Sequence, residues 1–600
     1  MIFYHFKIVY YYHMATLSTV YGETINRDHP LAEHPNPLFR RDRYQTLNGL
    51  WDFALDQRKD RPANFTKSIL VPFAVETSLS GIGKSVKKSD YLHYRRRFHL
   101  SDEYLRGFAI LHFDAVDQVC DVFLNGDLIL HHEGGYLPFS YLIEHPQPEN
   151  ILEVTVNDDT ESPIYARGKQ SNHSNGIWYT ATSGIWQSVW IEGVPSTGYI
   201  KSVRIDSDFD ARQIILTGDF TASPSDAYAE AYFHGRLVAR GTFDDKLRAM
   251  LDLGYDFYPW SPETPDLYEI RLFFGEDVVH SYCAMRKFST VAVNGLHYFA
   301  LNGHPYFLSG LLDQGYFPDG GLTAPSENAM ADDIKLAKKC GFNCLRKHIK
   351  IEPLRWYYLC DSLGMLVVQD FVNGGSRYSN FLINTRPFVN YSISDTNHHL
   401  LGRALKESRD QFALDQKAIV DHLYNVPCIF EWTLFNEGWG QFDAVALTEK
   451  LKQLDKTRLV DSTSGWYDKK CGDFDSHHIY FRKPRLSNDH KRILSLSECG
   501  GFSLGVERHQ FSDKNFGYFH FHSYDSLNRA VDKLYRRQIL HLVDKKGLCE
   551  VIFTQLTDVE NETNGLVTYD RKVQKVDIDM LRNLNHILSL TFERSLTNKK

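Results

Sequence analysis

The stretch that most constrains this chain is Asn425–Gly440, NVPCIFEWTLFNEGWG. From Cys428 to Phe435 it is mostly apolar, bulky and aromatic, as in a strand covered on both faces. It then delivers Asn436 and Glu437 side by side and breaks at Gly438-Trp439-Gly440. A carboxylate at the C-terminal mouth of a buried parallel strand is placed for chemistry rather than for packing. A lone strand-end glutamate is more often a plain surface charge. A second segment, Arg492–Gly501 (RILSLSECGG), changes that balance by ending an apolar strand on Glu498 with glycines behind it. Two acids on two strand ends of one barrel suit the cleavage of a glycosidic bond.

With 600 residues the chain exceeds a single core, and three or four domains are expected. A composition of 43% hydrophobic and 24% charged residues is that of a globular protein. The net charge of −8 is spread along the chain, with no basic stripe for nucleic acid and no apolar run long enough for a membrane span. The 9 cysteines are scattered, several of them inside apolar runs, so they read as buried free thiols of a reducing, cytoplasmic compartment. Cys340 and Cys344 have no second pair nearby, which argues against zinc. The N-terminal MIFYHFKIVYYYH makes a poor signal peptide, and Met14 is an alternative start.

After an N-terminal extension (1–34), residues 35–195 read as all-β. Strand-like runs fall at Gly49–Leu55, Tyr91–Leu100, Ala109–Ala115, Cys120–Leu124, Asn150–Asn157 and Gly184–Glu192, and Asn125-Gly126 marks a hairpin. This spacing predicts a jelly-roll β-sandwich. Trp178, Tyr179, Trp186 and Trp190 cluster in it, with core packing favoured over ligand contact. Residues 196–290 alternate again and fit an immunoglobulin-like β-sandwich. From 291 to 600, strands and helices alternate through eight strands, which predicts a (β/α)8 TIM barrel. Ser326 should cap a helix whose inner face carries Met330, Ile334 and Ala337, with Gly341 closing it. The long Asn- and Ser-rich connection after the third strand should hang over the mouth.

On this frame Glu437 ends strand four and Glu498 ends strand seven. Glycoside cleavage needs one carboxyl to protonate the leaving oxygen and another to stabilise or attack the anomeric carbon. Asn436 could hydrogen-bond a sugar 2-hydroxyl. Tyr480, ending strand six, could donate to Glu498 and keep it ionised. Trp466, ending strand five, could pack on the ring. His478, Arg346, Asp313 and His348 complete the expected substrate-binding set, although each has a plain structural alternative as an ion-pair anchor, loop cap or solvated side chain. Glu431, inside strand four, is expected to face the barrel interior against a cation.

These residues carry a resemblance to glycoside hydrolase family 2, the group containing β-galactosidases, β-glucuronidases and β-mannosidases. It covers nearly everything after residue 35: LNGLWDF (47–53), VPFAVETSLSGIG (71–83), GIWYTATSGIWQSVWIE (176–192), GFNCLRKH (341–348), FNEGWGQFD (435–443) and TQLTDVENETNGLVTYDRK (554–572). The resemblance implies a sugar-binding jelly roll, an immunoglobulin-like domain and a catalytic barrel, in that order. It also implies a retaining exo-glycosidase with Glu437 as acid/base and Glu498 as nucleophile, acting without a cofactor on terminal β-linked sugars, β-galactosides foremost, and forming a dimer or tetramer. The alternatives are a β-glucuronidase, a β-mannosidase or a non-catalytic carbohydrate-binding protein. Three departures stand out. Arg346-Lys347-His348-Ile349-Lys350 replaces the Arg-x-Ser-His-Tyr-like stretch of metal-dependent galactosidases, so no metal is carried over. The Asn-x-Lys signature for a uronate is not evident in VENETNG (559–565). Asp313 and Gln314 stand where a histidine is common in the family.

Overall fold

Period-two burial builds the N-terminal half. The computed structural model describes residues 17–379, 381–385 and 393–597; the expected alternative start at Met14 lies outside them. A four-stranded antiparallel sheet (Tyr44–Thr46, Val189–Val194, Phe108–Phe113, Phe139–Ile143) lies with a six-stranded one running from Lys67–Val71 to Asp127–Glu133. Their inner residues, among them Trp51, Phe53, Tyr94, Leu111 and Ile191, form one apolar core. The predicted Gly184–Glu192 strand is interrupted: it pairs at Gly184–Ile185 and again from Val189 to Val194. In between, Trp186 turns inward and its indole N–H donates to the Gly135 carbonyl at 2.8 Å. Of the aromatic cluster, Tyr179, Trp186 and Trp190 are core residues, whereas Trp178 is half-buried.

A second sandwich pairs a three-stranded sheet (Ile200–Asp208, Gln213–Phe220, Arg248–Asp252) with a four-stranded sheet. The latter comprises Arg236–Thr242, Tyr228–Phe233, Tyr268–Phe274 and Asp277–Cys283. It has its own core around Ile214, Leu216, Ile270 and Leu272.

The C-terminal half carries eight strands that pair only in parallel with one another: β1 Leu308–Asp313, β2 Cys344–Lys347, β3 Leu366–Asp370, β4 Ile429–Thr433, β5 Leu459–Asp461, β6 Phe474–Ile479, β7 Ile493–Gly500 and β8 Leu548–Thr554. Pairing runs from β5 back through β1 to β8, β7 and β6, a nearly closed barrel. Between β5 and β6 the ladder gives way to hydrogen bonds from Asp473 N to the Val460 carbonyl (2.7 Å) and from Val460 N to the Asp473 carboxylate (2.9 Å). The helix Glu327–Lys339 begins as expected, with the Ser326 hydroxyl accepting from Ala329 N, an arrangement worth about 1 kcal/mol. The helix expected over 527–543 is longer, Tyr524–Lys546, with a wider turn at Tyr535–Ile539. Among the described residues no helix is long and apolar enough to cross a membrane.

A loop of the first sandwich is clipped to the barrel mouth. Arg167 N and Gly168 N both donate to the Asn373 carbonyl (2.9 and 3.1 Å), and the Arg167 guanidinium donates to the Gly375 carbonyl at 2.9 Å. Gly168 has φ +60°, and a Cβ there would lie 2.8 Å from the Ile349 carbonyl, so only glycine allows this approach.

Candidate active site

The barrel register sets the two acids across the mouth. Asn436 bridges Ser464, and Glu437 N donates to the Ser464 carbonyl at 3.0 Å, so the end of β4 is fixed against the loop after β5. Glu437 adopts φ +51°, a left-handed conformation costing a non-glycine residue roughly 1–3 kcal/mol. Glu498 lies two residues before the end of β7 rather than at its last position, and it pairs in register with His478 of β6. One carboxylate oxygen from each of Glu437 and Glu498 and a ring nitrogen of His478 all lie within 4.8 Å of one another.

The partners of the two acids differ. His478 Nδ1 is 2.8 Å from Glu437 Oε1 and 3.5 Å from Glu498 Oε2. Its Nε2 lies 3.4 Å from an Arg346 nitrogen. A guanidinium can only donate, so Nε2 accepts and Nδ1 carries the proton toward Glu437. Arg346 Nη1 donates to Glu498 Oε1 at 3.2 Å, and the Tyr480 hydroxyl donates to Glu498 Oε2. Burial raises the Glu437 carboxyl above the usual range, and the charge of Glu498 adds to this against the opposing His478 contact. Burial pushes Glu498 up as well, but His478, Arg346 and the Tyr480 hydroxyl outweigh it and hold Glu498 below the usual range. Two neighbouring carboxyls driven apart in this way are suited to be acid and nucleophile respectively.

Arg346 organises the floor of the mouth. It grips Asp370 through two nitrogens at 3.0 and 3.1 Å and donates to Asn436 Oδ1 at 2.8 Å. That contact turns the Asn436 NH2 away from the arginine, and the amide makes no hydrogen bond among the described residues. His348 Nδ1 contacts Asp370 at 2.7 Å. Burial and the nearby Lys169 charge pull the His348 pKa down to about 4, so the ring is neutral at neutral pH. Asp313 belongs to an adjacent ionic cluster instead, 2.7 Å from Lys347, which also holds Glu352 at 2.7 Å. Trp466 is displaced from its expected strand end, because β5 stops at Asp461 and Ser464 turns to bond the end of β4. It packs with Leu382, Ile393, Leu401 and Tyr467. Glu431 faces no cation at ion-pair distance among the described residues. Burial and the neighbouring Glu550 and Asp461 carboxyls push it well above the usual range.

Two residues of the mouth were missed in the sequence. Tyr518 stacks on Tyr480 with ring centroids 3.8 Å apart and planes at 9°. Lys169, on the clipped sandwich loop, places its ammonium 5.2 Å from the Tyr179 ring centroid and 5.7 Å from that of Trp439. Neither stands beside a strand-end motif, which is the signal that exposed the others. Next to Trp178, whose ring lies 5.0 Å from that of Trp439, is a cavity of about 380 Å³ lined by Arg167, His173, Arg377 and Tyr378.

Glu437, His478 and Glu498 converge closely enough to invite a metal ion. Each of the three already has a protein partner: His478 contacts Glu437, and Arg346 supplies the positive charge beside Glu498.

Residues 291–492 match the family described as glycosyl hydrolases family 2, TIM barrel domain. Over that segment the chain is similar to glycoside hydrolase family 2. Among similar proteins, a β-galactosidase of Thermoanaerobacter pseudethanolicus is 24% identical over 472 residues, 74% of this chain and 57% of that protein. The chain spans about half the length of the curated relatives it matches: 57% for that protein and 42% for a β-galactosidase of Oenococcus oeni, 26% identical over 474 residues and 70% of this chain. In fold, a β-glucuronidase from an uncultured Clostridium sp. superposes with a TM-score of 0.72 at 15% identity, over 92% of this chain and 99% of that one.

Proposed function

We propose that this chain is a retaining exo-glycosidase of the family-2 type that releases terminal β-linked sugars, β-galactosides foremost, through a covalent glycosyl-enzyme. The observation that carries the reading is the approach of the Glu437 and Glu498 carboxylates to within 4.8 Å, close to the ~5–5.5 Å of retaining enzymes and well short of the room that an inverting enzyme needs for water.

In the first step Glu498, ionised between Arg346 and Tyr480, attacks the anomeric carbon while Glu437 gives its proton to the departing glycosidic oxygen. In the second, Glu437 takes a proton from water, which displaces Glu498 and returns the sugar with its original configuration. His478 holds Glu437 in place, and the free Asn436 amide is set to donate to the sugar 2-hydroxyl. The galactoside preference rests on the curated relatives. A β-glucuronide is the second reading, favoured by the β-glucuronidase named above among the similar folds.

Trapping with 2-deoxy-2-fluoro aryl glycosides of several sugars, followed by peptide mapping, tests both steps. The expected result is a single glycosyl adduct on Glu498. An adduct on another residue, or release of inverted product, overturns the reading.

A further inference from the structure

Four lysines in the described residues are buried almost completely, and three have conventional partners. Lys347 lies between Asp313 and Glu352. Lys350 bonds Glu352 and the carbonyls of Gly315 and Leu322. Lys575 bonds Asp558 and the carbonyls of Leu504 and Thr563. Lys169 is only 5% exposed, yet its ammonium makes no hydrogen bond or ion pair among the described residues. Two aromatic rings flank its ammonium, and the indole N–H of one of them, Trp439, also lacks an acceptor there. A buried ammonium without a counter-charge is costly and persists where something else supplies the charge.

Its surroundings say where that charge would come from. The Trp439 ring, 5.7 Å from the ammonium, lies 6.3 Å from the His348 ring and follows Glu437 by two residues, which sets Lys169 beside the mouth in which the sugar would lie, within the field of Glu562, Glu498 and Glu437. Glu562 is engaged by the Tyr179 hydroxyl, and Glu498 and Glu437 by Arg346, Tyr480 and His478. None of the three is within ion-pair distance of Lys169. The backbone that carries it is fixed by the Gly168 approach to Ile349 and by the clip to Asn373.

We propose that Lys169 is a specificity-determining residue that binds an anionic substituent, a carboxylate or a sulfate ester, on the sugar held between Glu437 and Glu498. The proposal rests on the reading of that mouth as a glycosidase site, and it narrows the substrate class to acidic glycosides. The cation that selects the substrate thereby comes from the sandwich loop rather than from the barrel.

The test uses the full chain and matched aryl β-glycosides: galactoside, galacturonide and 6-sulfogalactoside, with glucoside and glucuronide as a second series. Wild type should favour an acidic member by at least 10-fold in kcat/KM, and which acid wins identifies the anion. Lys169→Met should lower kcat/KM on that member by at least 100-fold, chiefly through KM, while changing the neutral partner less than 3-fold. Lys169→Arg should restore part of the loss. A wild-type preference for neutral sugars, or an equal loss on both members in Lys169→Met, overturns the proposal while leaving hydrolysis intact. Calorimetric titration with free galactose, galacturonate and galactose 6-sulfate separates the two readings. If no glycoside is cleaved, acid-selective binding abolished by Lys169→Met sustains the role of Lys169 and removes the glycosidase. Unselective binding or none removes both.

Discussion

Two groups of buried carboxyls occupy the same barrel, and they behave differently. At the mouth, Glu437 and Glu498 share His478, while Arg346 and Tyr480 serve Glu498 alone, so one acid is raised and the other lowered. In the barrel interior, Glu431, Glu550 and Asp461 crowd one another, and all three are raised: Glu431 well above its usual range, Glu550 to about 7 and Asp461 to about 6. Burial is nearly complete in both groups, so burial does not distinguish them. The distinction lies in how donors are distributed. Donors that favour one member of a pair drive the two carboxyls apart, as an acid and a base require; where they favour none, the carboxyls are raised together.

Removing the nucleophile from the mouth should have the largest effect. Glu498→Ala is expected to lower kcat on aryl β-glycosides by about 10⁴-fold or more with little change in Tm, and added azide should recover product as a glycosyl azide. Glu437→Gln should cost roughly 10²–10⁴-fold on substrates with poor leaving groups and far less on activated aryl glycosides, which need no proton. It should also erase the alkaline limb of the pH–rate profile, because activity in the wild type is lost as pH rises past the raised pKa of Glu437. Next comes Arg346→Gln. Without that cation the Glu498 pKa rises, so the acid limb should move to higher pH, and the exposed cost of a broken buried pair, about 3–5 kcal/mol, should appear as a lower Tm.

The smallest effect on activity, under 3-fold, is expected for Glu550→Gln in the interior group, and its signature is in stability. Folded Glu550 keeps its proton up to about 7, whereas the unfolded side chain releases it near 4.5. The folded state therefore binds more protons across that window, and wild-type stability falls as pH rises through it. The variant should flatten that slope and be more stable above pH 7, by a gain on the order of 1–3 kcal/mol in chemical denaturation. An unchanged slope would place the interior carboxyls in the same class as the mouth pair and remove the contrast.

The amino-acid pattern exposed the parts of this arrangement that follow from strand ends. FNE and SEC stop apolar runs at Glu437 and Glu498; Asn436 adjoins Glu437, His478 and Tyr480 lie on or just past β6 beside β7, and Arg346 reaches both from β2 across the barrel mouth. Parts that depend on loop paths were hidden. Trp466 follows a strand that ends early, at Asp461, so its expected strand-end position did not survive the loop that follows. Glu431 looked as if it needed a cation because its acidic neighbours come from strands far along the chain. Lys169 sits in RGKQSN, a polar loop like many others. Only the fold brings it more than 250 residues along the sequence to Glu437.

The glycine clip has an evolutionary corollary. On the proposed roles, recognition and bond cleavage would sit on separate modules joined at Arg167–Gly168, so either could drift without rebuilding its counterpart. Grafting the 161–182 segment between such enzymes should transplant sugar preference while leaving the chemical machinery untouched, and a bulkier side chain at position 168 would uncouple the modules altogether.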